Sequence, residues 1–183
     1  AVELSEIGGL EPDHDSVFAA IENVLKRVKG AYSVSAIISG LGMVAFRDPH
    51  GVRPLVMGYR DNPDGSRSWA CASENIPLEI QGYTGIENVN AGEAVIFVPG
   101  QEPVRRQLTQ KPHNPCIFEH VYFARPDSVL DDVSVYESRR QLGRNLGERW
   151  KELGLTVDVV IPVPDSACTA ASTMAASIGV EYR

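Results

Sequence analysis

Cysteine is scarce and scattered in this chain. Its three cysteines, Cys71, Cys116 and Cys168, are odd in number and form no CxxC pair. That argues against a disulfide framework and against a zinc site built on paired thiols. Each reads as a small buried residue in a reducing compartment. Positive charge is also short: 17 Lys and Arg against 24 Asp and Glu leave a formal charge of −7. A nucleic-acid or anionic-membrane surface is therefore not the main partner, although one basic pocket for a phosphate remains compatible with that balance. No apolar run is long enough to span a bilayer. The opening AVELSEIGGL lacks the basic start and continuous apolar stretch of a secretion signal. A cytoplasmic chain is expected.

Other signatures are missing too. Ser66, Ser68 and Ser73 have no GxSxG context. There is no glycine-rich phosphate fingerprint. His14, His50, His113 and His120 show no metal-ligand spacing. Solvent exposure accounts for His50 in a turn and His14 ahead of a helix. His120 reads as a packed residue in a strand.

What is present is a change of grammar. The chain has 183 residues, 43% of them hydrophobic, enough for one or two domains with a sizeable core. Helical spacing of Val17, Phe18, Ile21, Val24, Leu25 and Val28 predicts a helix from about Ser16 to Lys29. Asp15 or Ser16 is its expected cap and Gly30 its stop. Short strands follow: AYSVSAIISG with period two, MVAFR, PLVMGY and WACAS, then EAVIFV and PVRRQL as a hairpin around PGQE. DPHG (48–51) reads as a β-turn, and DNPDGS (61–66) as a loop tip. Together these make an α+β unit: one antiparallel layer with a helix against it.

The run IFEHVYFARPDS (117–128) divides this pattern from another. Beyond it, Ser134 and Glu137 have capping-box spacing. Val135, Arg139, Leu142, Leu146, Trp150 and Leu153 keep roughly helical spacing up to Gly154. Gly143 and Gly147 lie one turn apart inside this helix. Each costs about 1 kcal/mol against alanine, so another backbone is expected to approach there. Asp131 and Asp132 are read as carboxylates favoured by the dipole of that helix. VDVVIPV (157–163) is the apolar run of a strand covered on both faces, as in a parallel sheet. A short helix over Ala167–Ile178, stopped by Gly179, and the beginning of a parallel strand at Val180–Tyr182 read as a βαβ unit started and not finished.

The turn between that strand and helix is the best local candidate for chemistry. Ligands of open parallel sheets sit beyond the carboxyl ends of the strands, and a helix N-terminus offers amides to a phosphate. Pro164, Asp165, Ser166 and Ala167 occupy this position. The competing reading is a plain strand-to-helix turn with Ser166 as its cap.

Several segments, in order and over nearly the whole chain, resemble the middle of the glutamine amidophosphoribosyltransferase family. They are GAYSVSAII, GMVAFRDPHGVRPLVMG, ASEN, AGEAVIF, NPCIFEHVYFARPDS, VYESRRQLGRNLGE and VDVVIPVPDSA. EHVYFARPDS followed by the VPDS turn is the most selective part. The resemblance implies that residues 1–112 are the later part of an Ntn-hydrolase-type class II glutaminase, with antiparallel sheets and helices. It implies that residues 113–183 are the junction and first β–α unit of an α/β type I phosphoribosyltransferase. The implied reaction moves ammonia from glutamine to magnesium-bound phosphoribosyl pyrophosphate, giving 5-phosphoribosylamine at the opening of purine biosynthesis.

On this reading Pro164, Asp165, Ser166 and Ala167 form the loop near the pyrophosphate. Cys116 stands where some members carry an iron–sulfur ligand. A homo-oligomer is expected, and no nucleic acid or membrane partner. The family's Cys-Gly nucleophile would lie upstream of Ala1 and its acidic ribose-binding motif beyond Arg183, so these residues alone are expected to be inactive. Two other readings stand beside it: a non-catalytic binding or regulatory module on the same scaffold, and another class II glutamine amidotransferase.

Overall fold

The computed structural model describes residues 13–183. They divide into two compact units that meet between Cys116 and Ile117.

The first unit opens with α1 (His14–Arg27). Its cap is Asp13, not Asp15 or Ser16: the Asp13 carboxylate accepts the Ser16 amide at 2.7 Å. A cap must accept from an amide two or three residues on, and the helix starts at His14, two residues earlier than the expected Ser16. The helix ends at Val28, two residues short of Gly30.

Strands β1 (Ser33–Ile38) and β2 (Gly42–Arg47) form a hairpin. Strands β3 (Val56–Asp61), β4 (Arg67–Ala72) and β5 (Thr84–Asn88) make a three-stranded sheet in the order β4-β3-β5. Strands β6 (Glu93–Phe97) and β7 (Val104–Gln107) extend the first hairpin into a four-stranded antiparallel sheet, β1-β2-β6-β7. The single layer expected from the sequence is thus two sheets.

The pleat shows why. Val44 and Phe46 of β2, with Ala94 and Ile96 of β6, pack beneath Val17, Phe18 and Ile21 of α1. The alternate residues Ala45, Val95 and Phe97 pack against Leu55, Met57 and Val89. Successive side chains on a strand point to opposite faces, so β2 and β6 must be covered twice. Burying each Phe or Ile contributes about 1.5–3 kcal/mol. A short helix α2 (Asn75–Ile80), too brief to show periodicity, lays Leu78 over Gly58 on the outer face of the second sheet. The layers run helix, sheet, sheet, helix.

In the second unit the segment read as a strand is a π-helical turn, Glu119–Phe123. The Ala124 amide donates to the Glu119 carbonyl at 2.9 Å. Arg139, only 4% exposed, explains the departure. Its guanidinium donates to the His120 and Ala124 carbonyls, each at 2.8 Å, and satisfies groups that a ladder would otherwise need. Next come β8 (Val129–Leu130) and β9 (Val133–Ser134). Asp131 and Asp132, at φ 46° and 66°, are the two-residue turn between them. They are hairpin residues of the kind that tolerate positive φ, and the hairpin ends at Ser134, directly ahead of the next helix.

Helix α3 (Val135–Glu152) is capped by Ser134, which accepts the Glu137 amide at 3.3 Å. The buried positions on α3 are Val135, Arg139, Gly143 and Gly147, while Leu142, Leu146 and Leu153 are exposed. The expected leucine stripe is therefore displaced by the glycine stripe. Strand β10 (Val159–Val160), helix α4 (Cys168–Ile178) and strand β11 (Glu181–Tyr182) complete a βαβ unit, with β10 and β11 parallel. Gly179 ends α4 in the left-handed region at φ 74°. Of the apolar run at 157–163, Ile161 and Val163 are 69% and 79% exposed. Among the described residues only β10 and β11 pair here, and the run is not covered on both faces as expected.

Candidate functional site

The site is built where β10 gives way to α4. The chain leaves the parallel pair at Val160, turns through residues 161–167 and re-enters helix at Cys168. Pro164 and Asp165 are exposed; Ser166, Ala167 and Cys168 are half-buried. The Pro164–Asp165 peptide bond is cis. The Cys168 amide donates to the Asp165 carbonyl at 3.2 Å, and the Ala171 amide to the Ala167 carbonyl at 2.9 Å. The cap residue is Ala167, with no side-chain capping bond. Ser166 is therefore not the cap that the plain-turn reading required. Amides of a first helical turn have no intrahelical acceptor, and with the helix dipole they offer an anion site at this end.

Sequence reasoning missed Tyr182. Desolvation first, and then the neighbouring Cys168, push the pKa of its hydroxyl up. The backbone of the same residue lies opposite Val160 in the parallel pair. Only the pairing register brings the two together, and no spacing rule carries that.

The other candidates lie elsewhere. Cys116, half-buried, closes a strap in the first unit: its amide donates to the Val52 carbonyl at 3.2 Å and the Asn114 amide to the His50 carbonyl at 2.8 Å. His50 is half-buried, with Nδ1 3.0 Å from the Pro112 carbonyl oxygen, so simple exposure does not describe it. His14 is half-buried as well and begins α1. His120 is half-buried; burial pushes its pKa down, Arg139 adds to that and Asp131 opposes it. Among the described residues no three His, Cys, Asp or Glu side chains converge on a metal position.

Burial in the second core of the first unit pushes the Cys71 thiol up to about 12. The thiolate is the reactive form. At pH 8, iodoacetamide is expected to label Cys116 and Cys168 while Cys71 stays unmodified, as read by peptide mass mapping. Early labelling of Cys71 would contradict this.

A cleft of about 370 Å³ in the first unit is lined by Asn62, Ser66, Arg67, Ser68, Trp69 and Phe97, among others. Several of its polar side chains are partnered, Asn62 donating to Ser66 and Ser68 and Arg67 pairing with Asp61 and Glu102, while the buried Trp69 indole N–H has no partner.

No family model matches the chain. Among curated proteins it is 42% identical over 188 residues to the amidophosphoribosyltransferase of Escherichia coli K12, covering all of this chain and 37% of that protein. The chain is a homologue of the amidophosphoribosyltransferases. The enzyme of that name from Saccharomyces cerevisiae is 39% identical over 189 residues, again across the whole chain and 37% of the relative.

Solved structures agree. The glutamine phosphoribosylpyrophosphate amidotransferase of B. subtilis, complexed with ADP and GMP, superposes with a TM-score of 0.76 at 28% identity, covering all of this chain and 41% of that one. A structure described as the allosteric regulatory enzyme of purine biosynthesis gives 0.78 at 28% identity, over 98% of this chain and 37% of that one. The chain thus spans little more than a third of the length of its amidophosphoribosyltransferase relatives. No helix among the described residues is long and apolar enough to cross a membrane.

Proposed function

We propose that the chain is the stretch of an amidophosphoribosyltransferase in which an Ntn-type glutaminase gives way to a type I phosphoribosyltransferase. Residues 1–112 are assigned to the first and residues 113–183 to the second. Identity of 39–42% running in order along the whole chain carries this reading. Two antiparallel sheets between helices support the glutaminase assignment, and the parallel βαβ unit supports the transferase one. A cytoplasmic homo-oligomer goes with it.

In the whole enzyme, ammonia released from glutamine attacks the anomeric carbon of phosphoribosyl pyrophosphate. A C–N bond forms, the C–O bond to pyrophosphate breaks, and 5-phosphoribosylamine results. The part assigned to this chain is to hold the leaving group. Pro164, Asp165, Ser166 and Ala167 shape the loop, and the first-turn amides of α4 accept the anion. Asp165 is exposed, and magnesium carried by the pyrophosphate brings opposite charge towards its carboxylate.

The test is an amide-resolved NMR titration of the 183-residue chain with inorganic pyrophosphate and magnesium. Saturable shifts are expected at Asp165 to Ala170. No response there at excess pyrophosphate would overturn the assignment.

A further inference from the structure

The cleft of about 370 Å³ in the first unit lies where β2 and β4 begin and β6 ends. Residues of both sheets line it. Its apolar part is Met43, Trp69 and Phe97, which also pack on the second core. The Trp69 and Phe97 rings stand 6.2 Å apart at 44°. Asn62, Ser66 and Ser68 add a few polar atoms. A mostly apolar lining with a few placed polar groups, in a volume above about 300 Å³, is the make-up of a small-molecule pocket. Among the described lining residues Arg67 alone is charged, and its charge is met: Nε lies 3.0 Å from Asp61 and Nη1 3.1 Å from Glu102. An ionic ligand would find no unpaired counter-charge there, and burying it would be unfavourable. One polar group of the lining is left over. The Trp69 indole N–H is buried and has no acceptor among the described residues. A buried indole usually donates to a partner, and leaving such a donor unmade is unfavourable.

We propose that this cleft binds a small neutral aromatic ring that carries a hydrogen-bond acceptor. The ring lies against Trp69 and Phe97, and the acceptor takes the indole N–H of Trp69. That N–H is covered in the unliganded chain, so the acceptor reaches it as the Arg67 head group yields. The Arg67 guanidinium lies 4.0 Å over the Tyr59 ring and 5.9 Å over the Trp69 ring. Its side chain is 37% exposed and those of Asp61 and Glu102 are 70% exposed. Ion pairs this open to water are worth little and part easily. The contact with Glu102 also ties β4 to the turn between β6 and β7, so its release loosens the cleft where both sheets meet it. Selectivity follows from the lining: apolar surface favours the ring, the single unmet donor favours an acceptor, and the paired Arg67 gives no gain to a charge. The proposal does not depend on the pyrophosphate-loop reading.

Nitrogen–proton NMR of the 183-residue chain tests this with two probes, benzamide and toluene. Both are neutral rings, and only benzamide carries a carbonyl acceptor. The chain has two tryptophans, so two indole N–H signals are expected, and a Trp150→Phe variant assigns them. With benzamide the Trp69 indole signal should move downfield and saturate with a Kd on the order of 1 mM, the range open to so small a ligand. The Trp150 signal, from the second unit, should stay in place. Trp69→Phe keeps an aromatic ring and removes the donor. Followed through the backbone amides of Ser68 and Gly100, it should weaken benzamide about 3- to 10-fold, the worth of one hydrogen bond. Toluene should bind that variant within about twofold of the unaltered chain, because the ring contact is kept. Unperturbed amide signals from the second core in the variant check that the unit is still folded. No saturable response to benzamide well above that concentration would overturn the proposal. So would a Trp69 signal that stays still while the amides respond, or equal losses for benzamide and toluene, since either means that the indole N–H is not what the ligand meets.

Discussion

Gly143→Ala is expected to destabilise the second unit although alanine is the better helix former. In an open helix the exchange would gain about 1 kcal/mol. Here a Cβ at Gly143 would meet the Ala170 carbonyl and the Thr173 side chain of α4. A backbone carbonyl cannot swing aside, so α3 and α4 must part. Overpacking of this kind costs about 1–3 kcal/mol, occasionally more. We expect a net loss of about 1–2 kcal/mol once the helix gain is subtracted.

Gly147→Ala should cost less, because its nearest obstacle is the Ser177 hydroxyl at 2.7 Å, which can rotate, although Ser177 Cβ at 2.9 Å must also give. The chain has two tryptophans, Trp69 in the first unit and Trp150 on α3. Urea unfolding followed by Trp150 fluorescence in a Trp69→Phe background isolates the second unit. A Gly143→Ala variant as stable as its parent, or more stable, would show that the helices are not in close contact.

Arg47→Met should be the most damaging substitution in the first unit. Arg47 is 2% exposed and Asp48 is fully buried. The guanidinium donates to the carbonyls of Arg53 at 2.6 Å, Val89 at 3.1 Å and Gly51 at 2.9 Å. The Asp48 carboxylate accepts the His50 and Arg53 amides, and its carbonyl accepts those of Gly51 and Gly92. Methionine fills the volume but leaves three carbonyls without a donor in a dry interior. A loss of about 3–5 kcal/mol is expected, since each orphaned group costs about 1–3 kcal/mol and relaxation recovers some of it. Arg47→Lys should recover less than half, because an ammonium cannot reproduce the planar fork. Trp69 fluorescence in a Trp150→Phe background reads this unit. A methionine variant within about 1 kcal/mol of its parent would mean that water or neighbouring donors take over those carbonyls.

Residues that satisfy local rules are legible in the amino-acid sequence. The β1–β2 and β6–β7 hairpins follow from alternation and turn residues, and DPHG forms its turn with the Gly51 amide donating to Asp48. Ser134 caps α3 as its spacing implies. Gly143 and Gly147 mark a place of close approach, as their cost inside a helix implies. Local patterns mislead where a distant group overrides them. Nothing near IFEHVYF says that Arg139, from the next helix, holds two of its carbonyls and permits a π-helical turn. The split into two sheets depends on which alternate residues of β2 and β6 find a partner layer, and alternation alone does not name the partner. Helix α2 is too short to carry a period. At the candidate loop, strand, turn and helix are visible in the sequence, whereas the absence of a Ser166 cap and the pairing of Tyr182 with Val160 depend on three-dimensional register.

The doubly covered pair β2 and β6 also sets a schedule for synthesis. When Met43 to Phe46 emerge from a ribosome, Ala94 to Phe97, which they will pair with, have not been made. Until then a strand with no polar side has only α1 to cover one face, and Leu55, Met57 and Val89, which cover the other, are still to come. Such segments attract chaperones and misassociate with their like. The nascent chain is most vulnerable before Phe97 arrives, and a pause in translation within that interval would lower yield more than the same pause placed after it.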